Sequence, residues 1–491
     1  MSNIELICTY CHRVEVPNSK SLLCPSCRQV LIIKYPYQLI KERIDKKSFE
    51  LGKGGIWKYF ELLPIFDKSN IVSLGEGGTF LHRCKRLSDE LKIKQILLKN
   101  ETTNPTGAFT DRGVSVAISK AKEFGFYSVC CGTTGNIGAS LAAYAAKAGL
   151  DCTIFIPSTV DLGKLYQMIA YGSKVEPAKD YDEARIKAER FAGSSFLIDP
   201  NNPYFLEGIK TTGYEICEQL GWRVPDKIIV PMGSGGHISM IWKAIKELFE
   251  LGFLKDFNVE LIGVQFEEAA PIATSFLNGK DYVEGTNRIS KFLGDIGIKE
   301  PSLGSLAIRT LKESGGTAVI LSYKEILEAM SLLAKTEGVF AEPAAASTIA
   351  GVKKLIERGS IDKDEEIVCV ITGSGLKDPI TARSFVGKVK SVDAIIRKME
   401  EHKFTIKLGL TKMRILSLIH DSELHGYKIW KELSKRFNVN IKIPSVYQHL
   451  SELERAGLIT RTHTERVLGK PSRWYYSLTA KGKRVLDTWK G

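Results

Sequence analysis

Between about residues 36 and 387 the chain repeats one pattern, and this pattern restricts the fold more than any other feature does. Short apolar runs alternate with amphipathic stretches. The runs are Gln95–Lys99, Ser128–Gly132, Cys152–Pro157, Lys227–Pro231, Glu260–Val264 and Glu366–Ile371, and their centres are continuously apolar. A strand covered on both faces has no polar side to present, so it reads this way. Segments such as Ile137–Ala148, Tyr181–Phe191 and Lys324–Thr336 lie between the runs with helical spacing. The alternation predicts an α/β body with parallel sheets. About 350 residues exceed a single core, which predicts two lobes.

The rest of the chain differs in charge. The net charge is +13, and from Lys388 onward there are 22 basic and 10 acidic residues against 47 and 46 before it. A near-neutral body is thus followed by a strongly basic tail. Such a tail suggests a polyanionic partner, most often nucleic acid, the alternative being a merely soluble basic surface. Residues 388–410 are polar and charged and read as a connector; residues 411–491 read as a last domain.

Ahead of the body, residues 1–35 carry Cys8-x2-Cys11 and Cys24-x2-Cys27. Two such knuckles can close a tetrahedral site around Zn²⁺, the alternatives being a redox pair or chance. Four protein ligands leave no open position, so the expected role is structural, with the metal supplying folding energy to a segment too short for its own core. His12 is a bystander. The other six cysteines are scattered. No apolar run approaches the roughly 18 residues of a membrane span, and the N-terminus has no secretory pattern. The expectation is a cytoplasmic protein with reduced thiols and no membrane partner.

Two glycine loops each follow an apolar run and open a helix. One is Gly132-Thr133-Thr134-Gly135-Asn136, the other Gly233-Ser234-Gly235-Gly236-His237. Glycines let backbone approach a ligand, and free N–H groups at a helix start favour an anion. Tight turns also use glycine, but two such loops in one body point to an anionic small molecule.

The order and spacing of several segments resemble threonine synthase, in the tryptophan-synthase-β class of pyridoxal-phosphate (PLP) enzymes. They are Lys99–Gly113, Thr133–Asn136, Lys210–Leu248, Gly338–Ala346 and Ile371–Asp378. The resemblance covers nearly all of residues 1–387 and implies a two-lobed PLP fold behind a small zinc ribbon. It also implies that Gly233, Ser234, Gly235, Gly236 and His237 hold the cofactor phosphate. Asn136 would bond the ring oxygen, Thr372 or Ser374 would lie near the pyridine nitrogen, and Thr133, Thr134 and Gly135 would face a substrate carboxylate.

One departure matters more than the match. The family pattern N-P-T-G-S-F-K-D-R-G places a lysine after the phenylalanine; here Phe109 is followed by Thr110. That lysine bonds the cofactor covalently and then moves protons, and a threonine hydroxyl does neither at neutral pH. PLP, if bound, is expected to be held noncovalently. A sequence variant at Thr110, or a nearby amine such as Lys99 standing in for the missing one, would also account for the departure. A family arginine is also replaced in Asp295–Pro301.

In the tail, residues 411–421 and 423–437 read as two helices. Pro444 and Ser445 open a third, with Ser445 as its N-cap. Val446, Leu450, Leu453 and Leu458 define a buried face, while Tyr447, Gln448, Ser451 and Glu452 lie opposite. Two strand-like runs follow, Leu458–Arg466 and Arg473–Leu478. The motifs Leu424-His425-Gly426-Tyr427, Ser445–Leu450 and Gly469–Thr479 resemble PadR-type winged-helix regulators. The resemblance implies an α+β winged helix, DNA as partner and a homodimer. Lys442, Ser445, Tyr447 and Gln448 would then sit at the recognition helix, and Arg461, Arg466, Lys470 and Arg473 at phosphates. A winged helix used for protein contacts is the alternative.

These expectations converge on a ligand-responsive transcription regulator. Its body would sense PLP, an amino acid or a phosphorylated amino acid. The rivals are a PLP-dependent threonine synthase, converting phosphohomoserine to threonine, with a DNA-binding appendage, and a pseudoenzyme scaffold.

Overall fold

The apolar runs form the interiors of two parallel sheets. One has the order Thr317–Leu321, Glu260–Phe266, Lys227–Pro231, Glu366–Ile371, Gln95–Asn100, Leu81–Arg83, all parallel except the last pair. The other has the order Lys174–Ala178, Asp151–Pro157, Ser128–Gly132, Phe196–Leu197, all parallel. The six runs read from sequence are the interior strands. The four strands not read there are the four sheet edges, where one neighbour is missing and burial demands less apolar sequence.

The computed structural model describes residues 4–18, 22–50, 54–286, 297–378, 381, 408–465 and 472–490. The chain divides into two units, Met1–Val386 and Gly387–Gly491. Asp295 and Ile296, most of the connector, and Arg466 and Lys470 in the wing fall outside the described residues.

In the first unit, helices cover both faces of the six-stranded sheet. The helices Pro203–Gln219 and Gly236–Glu250 contribute Tyr204, Leu206, Tyr214, Ile216, Ile241 and Leu248 to one core; Tyr323–Glu337 and Pro343–Glu357 contribute Ile326, Leu333, Ile349 and Val352 to the other. Residues 5–34 form a small antiparallel sheet, Val14–Glu15, Glu5–Cys8, Leu31–Lys34. Its Leu6, Leu31 and Ile33 are buried in the first of these cores. Tyr35 donates to Glu207 at 2.9 Å and Lys243 to the Ile33 carbonyl at 2.5 Å, so the ribbon is tied to the body by buried polar groups.

The second unit has the helices Leu410–Asp421, Gly426–Phe437, Ile443–Arg455 and Ala480–Lys490, with a three-stranded antiparallel sheet in the order Leu424–His425, Arg473–Leu478, Ile459–Glu465. Leu416, Ile429, Leu433, Val446, Leu450, Leu453, Leu458 and Tyr476 make its core. Leu424 and His425, read as the start of a helix, instead pair with Tyr476 and Tyr475. Ser445 is not the N-cap of the third helix. The helix starts at Ile443 with Lys442 as cap, because Pro444 needs no N–H donor partner in a first turn.

Candidate functional site

Three loops leave the C-terminal ends of parallel strands at neighbouring points, which is where open α/β sheets bind ligands. Gly132 ends one strand and is followed by Thr133–Gly135; Pro231 ends another and is followed by Met232–Gly235; Ile371 ends a third and is followed by Thr372. The strands ending at Pro231 and Ile371 are adjacent. Phe109 closes the arrangement, its N–H donating to the Thr372 carbonyl at 2.9 Å just before the helix Thr110–Glu123 begins.

The result is a cavity of about 870 Å³, including its open mouth. Thr110, Thr133, Thr134, Asn136, Gly233, Ser234, Gly235, Gly236, His237 and Thr372 all line it. Gly135 and Ser374 do not. Gly135 turns at φ +148° with the Lys164 side chain packed against the place a Cβ would take. Ser374 spends its hydroxyl capping the short turn Gly375–Lys377.

The Gly233–His237 loop opens the 15-residue helix Gly236–Glu250. Gly235 holds φ +91°, and a Cβ there would lie 2.8 Å from the Leu303 carbonyl oxygen, so only glycine fits. Backbone N–H groups therefore collect beside the cavity, where an anion is favoured. His237 stands at the same place with one ring nitrogen, Nδ1, buried and lacking a hydrogen-bond partner. A helix start lined by backbone N–H groups, with a buried and unpartnered ring nitrogen that can carry a proton, fits a phosphate group.

The covalent anchor is a different matter. Thr110 is 3% exposed, and its Oγ1 lies 2.7 Å from Ser140 Oγ and donates to the Asn136 carbonyl at 3.3 Å. Ser140 lies 3.2 Å from Thr106 Oγ1, which donates to Asp111 at 2.7 Å. Burial raises the Asp111 carboxyl above its usual range. No lysine is among the described residues lining the cavity. Lys99 is elsewhere: its ammonium is 2.7 Å from Glu215, 2.8 Å from the Thr79 carbonyl and 3.0 Å from Gln219, so all three donors are used. Burial lowers its pKa. The residues thus fit the cofactor's phosphate and not its covalent attachment.

Beneath the helix start, Arg112 grips Glu101 at 2.6 and 2.9 Å and Glu215 at 2.8 and 2.7 Å, all fully buried. Paired bidentate contacts of this kind fix orientation, and here they anchor the first turn of the helix that begins at Thr110. Glu342 also lines the cavity and accepts from Asn136 Nδ2 at 3.1 Å with each oxygen. Its role was missed in the sequence, although it stands inside the matching Gly338–Ala346 block. Phe109 was missed too; its ring stacks on His237 at 4.1 Å and 9°.

Cys8, Cys11, Cys24 and Cys27 come together, their Sγ atoms all within 4.8 Å of one another. Four thiolates at Zn–S distances of about 2.3 Å give sulfur separations of about 3.8 Å, inside this limit, so the set fits a tetrahedral metal.

In the second unit Lys442 and Gln448 are exposed, Tyr447 is 45% exposed and Ser445 is half-buried at the start of the third helix. Gln448 donates to Glu452 at 3.0 Å. Arg461 is exposed, pairs with Glu454 at 3.0 Å and lies over Trp474 at 5.2 Å; Arg473 begins the second wing strand.

Fold and cradle define a protein of the PLP-dependent enzyme class, fold type II, and the chain belongs to that family, whose profile "Pyridoxal-phosphate dependent enzyme" matches residues 72–373. Among its members the similarity is to threonine synthases. The chain is 44% identical to the threonine synthase of Methanocaldococcus jannaschii over 76% of this chain and 90% of that one. It is 39% identical to that of Halalkalibacterium halodurans over 73% and 99%. Residues 415–488 match the "Transcriptional regulator PadR-like family". Among solved structures, a processed threonine deaminase from Solanum lycopersicum (TM-score 0.54, 22% identity) covers 64% of this chain and is itself 87% covered. An L-serine ammonia-lyase from Rhizomucor miehei (TM-score 0.56, 19% identity) covers 63% and is 98% covered. These two share the fold.

Proposed function

We propose that the chain is a ligand-responsive transcription regulator. Its threonine-synthase-like body holds a phosphorylated small molecule, PLP or a phosphorylated amino acid, and its PadR-like unit binds DNA. The observation that carries the reading is Thr110, which stands at the place of the family's lysine and lines the cavity with its hydroxyl engaged by Ser140. When bound, PLP supplies an electron sink for chemistry on an amino acid. This chain's residues bind and orient: Gly233–His237 take the phosphate, Asn136 and Thr372 flank the ring, and Thr133 and Thr134 meet a carboxylate. With a threonine at position 110 and no lysine among the described residues lining the cavity, the site retains ligands rather than turning them over. Zn²⁺ at the four cysteines stabilises the ribbon. DNA is met by Lys442, Ser445, Tyr447 and Gln448 and by the wing residues Arg461, Arg466, Lys470 and Arg473, in a homodimer reading two half-sites. Ligand control requires unequal ligand affinity in the DNA-competent and incompetent states, and movement of one lobe against the other supplies two such states.

A second reading, an active threonine synthase with a DNA-binding appendage, is favoured by the 44% identity to a threonine synthase. One experiment separates them. The chain is incubated with PLP, reduced with borohydride and assayed for threonine release from phosphohomoserine. The regulator reading expects no lysine labelled, no threonine, and a DNA retardation that responds to ligand and weakens steeply with salt. A labelled lysine together with threonine release would overturn it.

A further inference from the structure

His237 is the second residue of helix Gly236–Glu250, lines the cavity and is 6% exposed. Its ring is clamped. Phe109 stacks on it at 4.1 Å, and Nε2 lies 3.1 Å from Thr212 Oγ1. Nδ1 is buried and lacks a hydrogen-bond partner. Burial pushes this imidazole down to about 3, so the ring is neutral at ordinary pH. The charged groups that act on it are Glu101 and Arg112, which are paired with each other at 2.6 Å and largely cancel. A neutral imidazole whose Nε2–H serves Thr212 has only a lone pair at Nδ1. That lone pair repels an anion's oxygen. An anion in the neighbouring loop changes the balance, because its negative charge stabilises an imidazolium in a site where little water screens it.

We propose that His237 gains a proton when a phosphate-bearing ligand occupies the Gly233–His237 loop, so that ligand binding in this cavity is coupled to pH. The inference rests on the loop being the phosphate site. One proton from solvent adds to Nδ1, and no other bond forms or breaks. Over the pH range between the free and the bound ring's titration, affinity rises up to tenfold for each unit the pH falls. The cavity then reads its ligand and the ambient acidity together.

The test is calorimetry of the full chain with inorganic sulfate, an anion that does not titrate in this range, and with PLP, between pH 5 and 7 in two buffers of different ionisation heat. The expected result with sulfate is fractional proton uptake that grows as the pH falls, with a Kd that falls alongside it. His237→Asn should bind the same anion more weakly, and with no proton uptake and no pH dependence of what binding remains. If that variant does not fold, ¹⁵N spectra of the native chain serve instead, with an imidazolium signal expected to appear on ligand addition. Binding without proton uptake and without that signal overturns the inference; it would mean that Thr212 donates to Nε2 and the ring merely changes tautomer. If neither anion binds the native chain, the phosphate reading of the loop fails, and the inference fails with it.

Discussion

Replacing Thr110 by lysine tests the cavity directly. Thr110 gives up its 2.7 Å contact with Ser140 and a weaker 3.3 Å bond to the Asn136 carbonyl. Each such bond contributes about 1 kcal/mol net, and Ser140 keeps Thr106 as a partner at 3.2 Å. Thr110 lines the cavity rather than the closed core, so overpacking by the longer side chain is smaller than at a core position. A loss of about 1–2 kcal/mol should lower Tm by no more than about 6 °C. The gain is far larger. Loss of a catalytic group of this importance costs roughly 10⁴- to 10⁶-fold in rate, or about 5–8 kcal/mol. Thr110→Lys should therefore develop a visible absorbance band with PLP. Borohydride should fix that band on the introduced side chain, located by peptide mass. Threonine release from phosphohomoserine is the second readout. A variant that folds and binds PLP yet shows no fixed label at position 110 would refute the placement of Thr110 at the reacting end of the site.

Three further outcomes follow from the same geometry. Arg112→Leu leaves Glu101 and Glu215 buried without their main countercharge and should cost about 3–5 kcal/mol, read as a fall in the urea midpoint. The unliganded protein should lose stability on acidification through His237. The unfolded imidazole takes its proton near pH 6.5 and the folded one only near 3, so stability is full above about 6.5 and falls by up to about 1.4 kcal/mol per pH unit below it. The native chain should thus lose about 2 kcal/mol more than His237→Asn between pH 7.5 and 5, and equal losses would contradict this. Metal analysis should find about one Zn²⁺ per chain, removable by chelator in mild denaturant with cleavage of the ribbon by protease; a metal-free ribbon that resists protease would count against a structural zinc.

Particular residues show how far the sequence could be read. The interior strands announced themselves because a strand between two neighbours and under two helix layers is apolar through its centre. Lys174–Ala178, with the sequence KVEPA, did not, since an edge strand tolerates charge and proline. Leu424–His425 read as helix because two residues carry no period; only their pairing with Tyr476 and Tyr475 makes them a strand. Gly135 and Ser374 look as much like site residues as their neighbours do, yet one is packed against Lys164 and the other caps a turn. Local pattern records which residues sit near a loop, not which way each faces.

By itself the sequence determined the α/β class, the two glycine loops, the four-cysteine ribbon, the basic tail with its winged-helix spacing, and the threonine at position 110. These are matters of residue type, period and order along the chain. Tertiary structure alone decided that Thr110 lines the same cavity as the Gly233–His237 cradle, that Lys99 is locked into Glu215, and that His237 keeps a bare nitrogen under Phe109. Those facts depend on contacts between segments up to about 260 residues apart in the chain, Thr110 and Thr372 among them. Such contacts are set by how the sheets and helices pack, which no local pattern encodes.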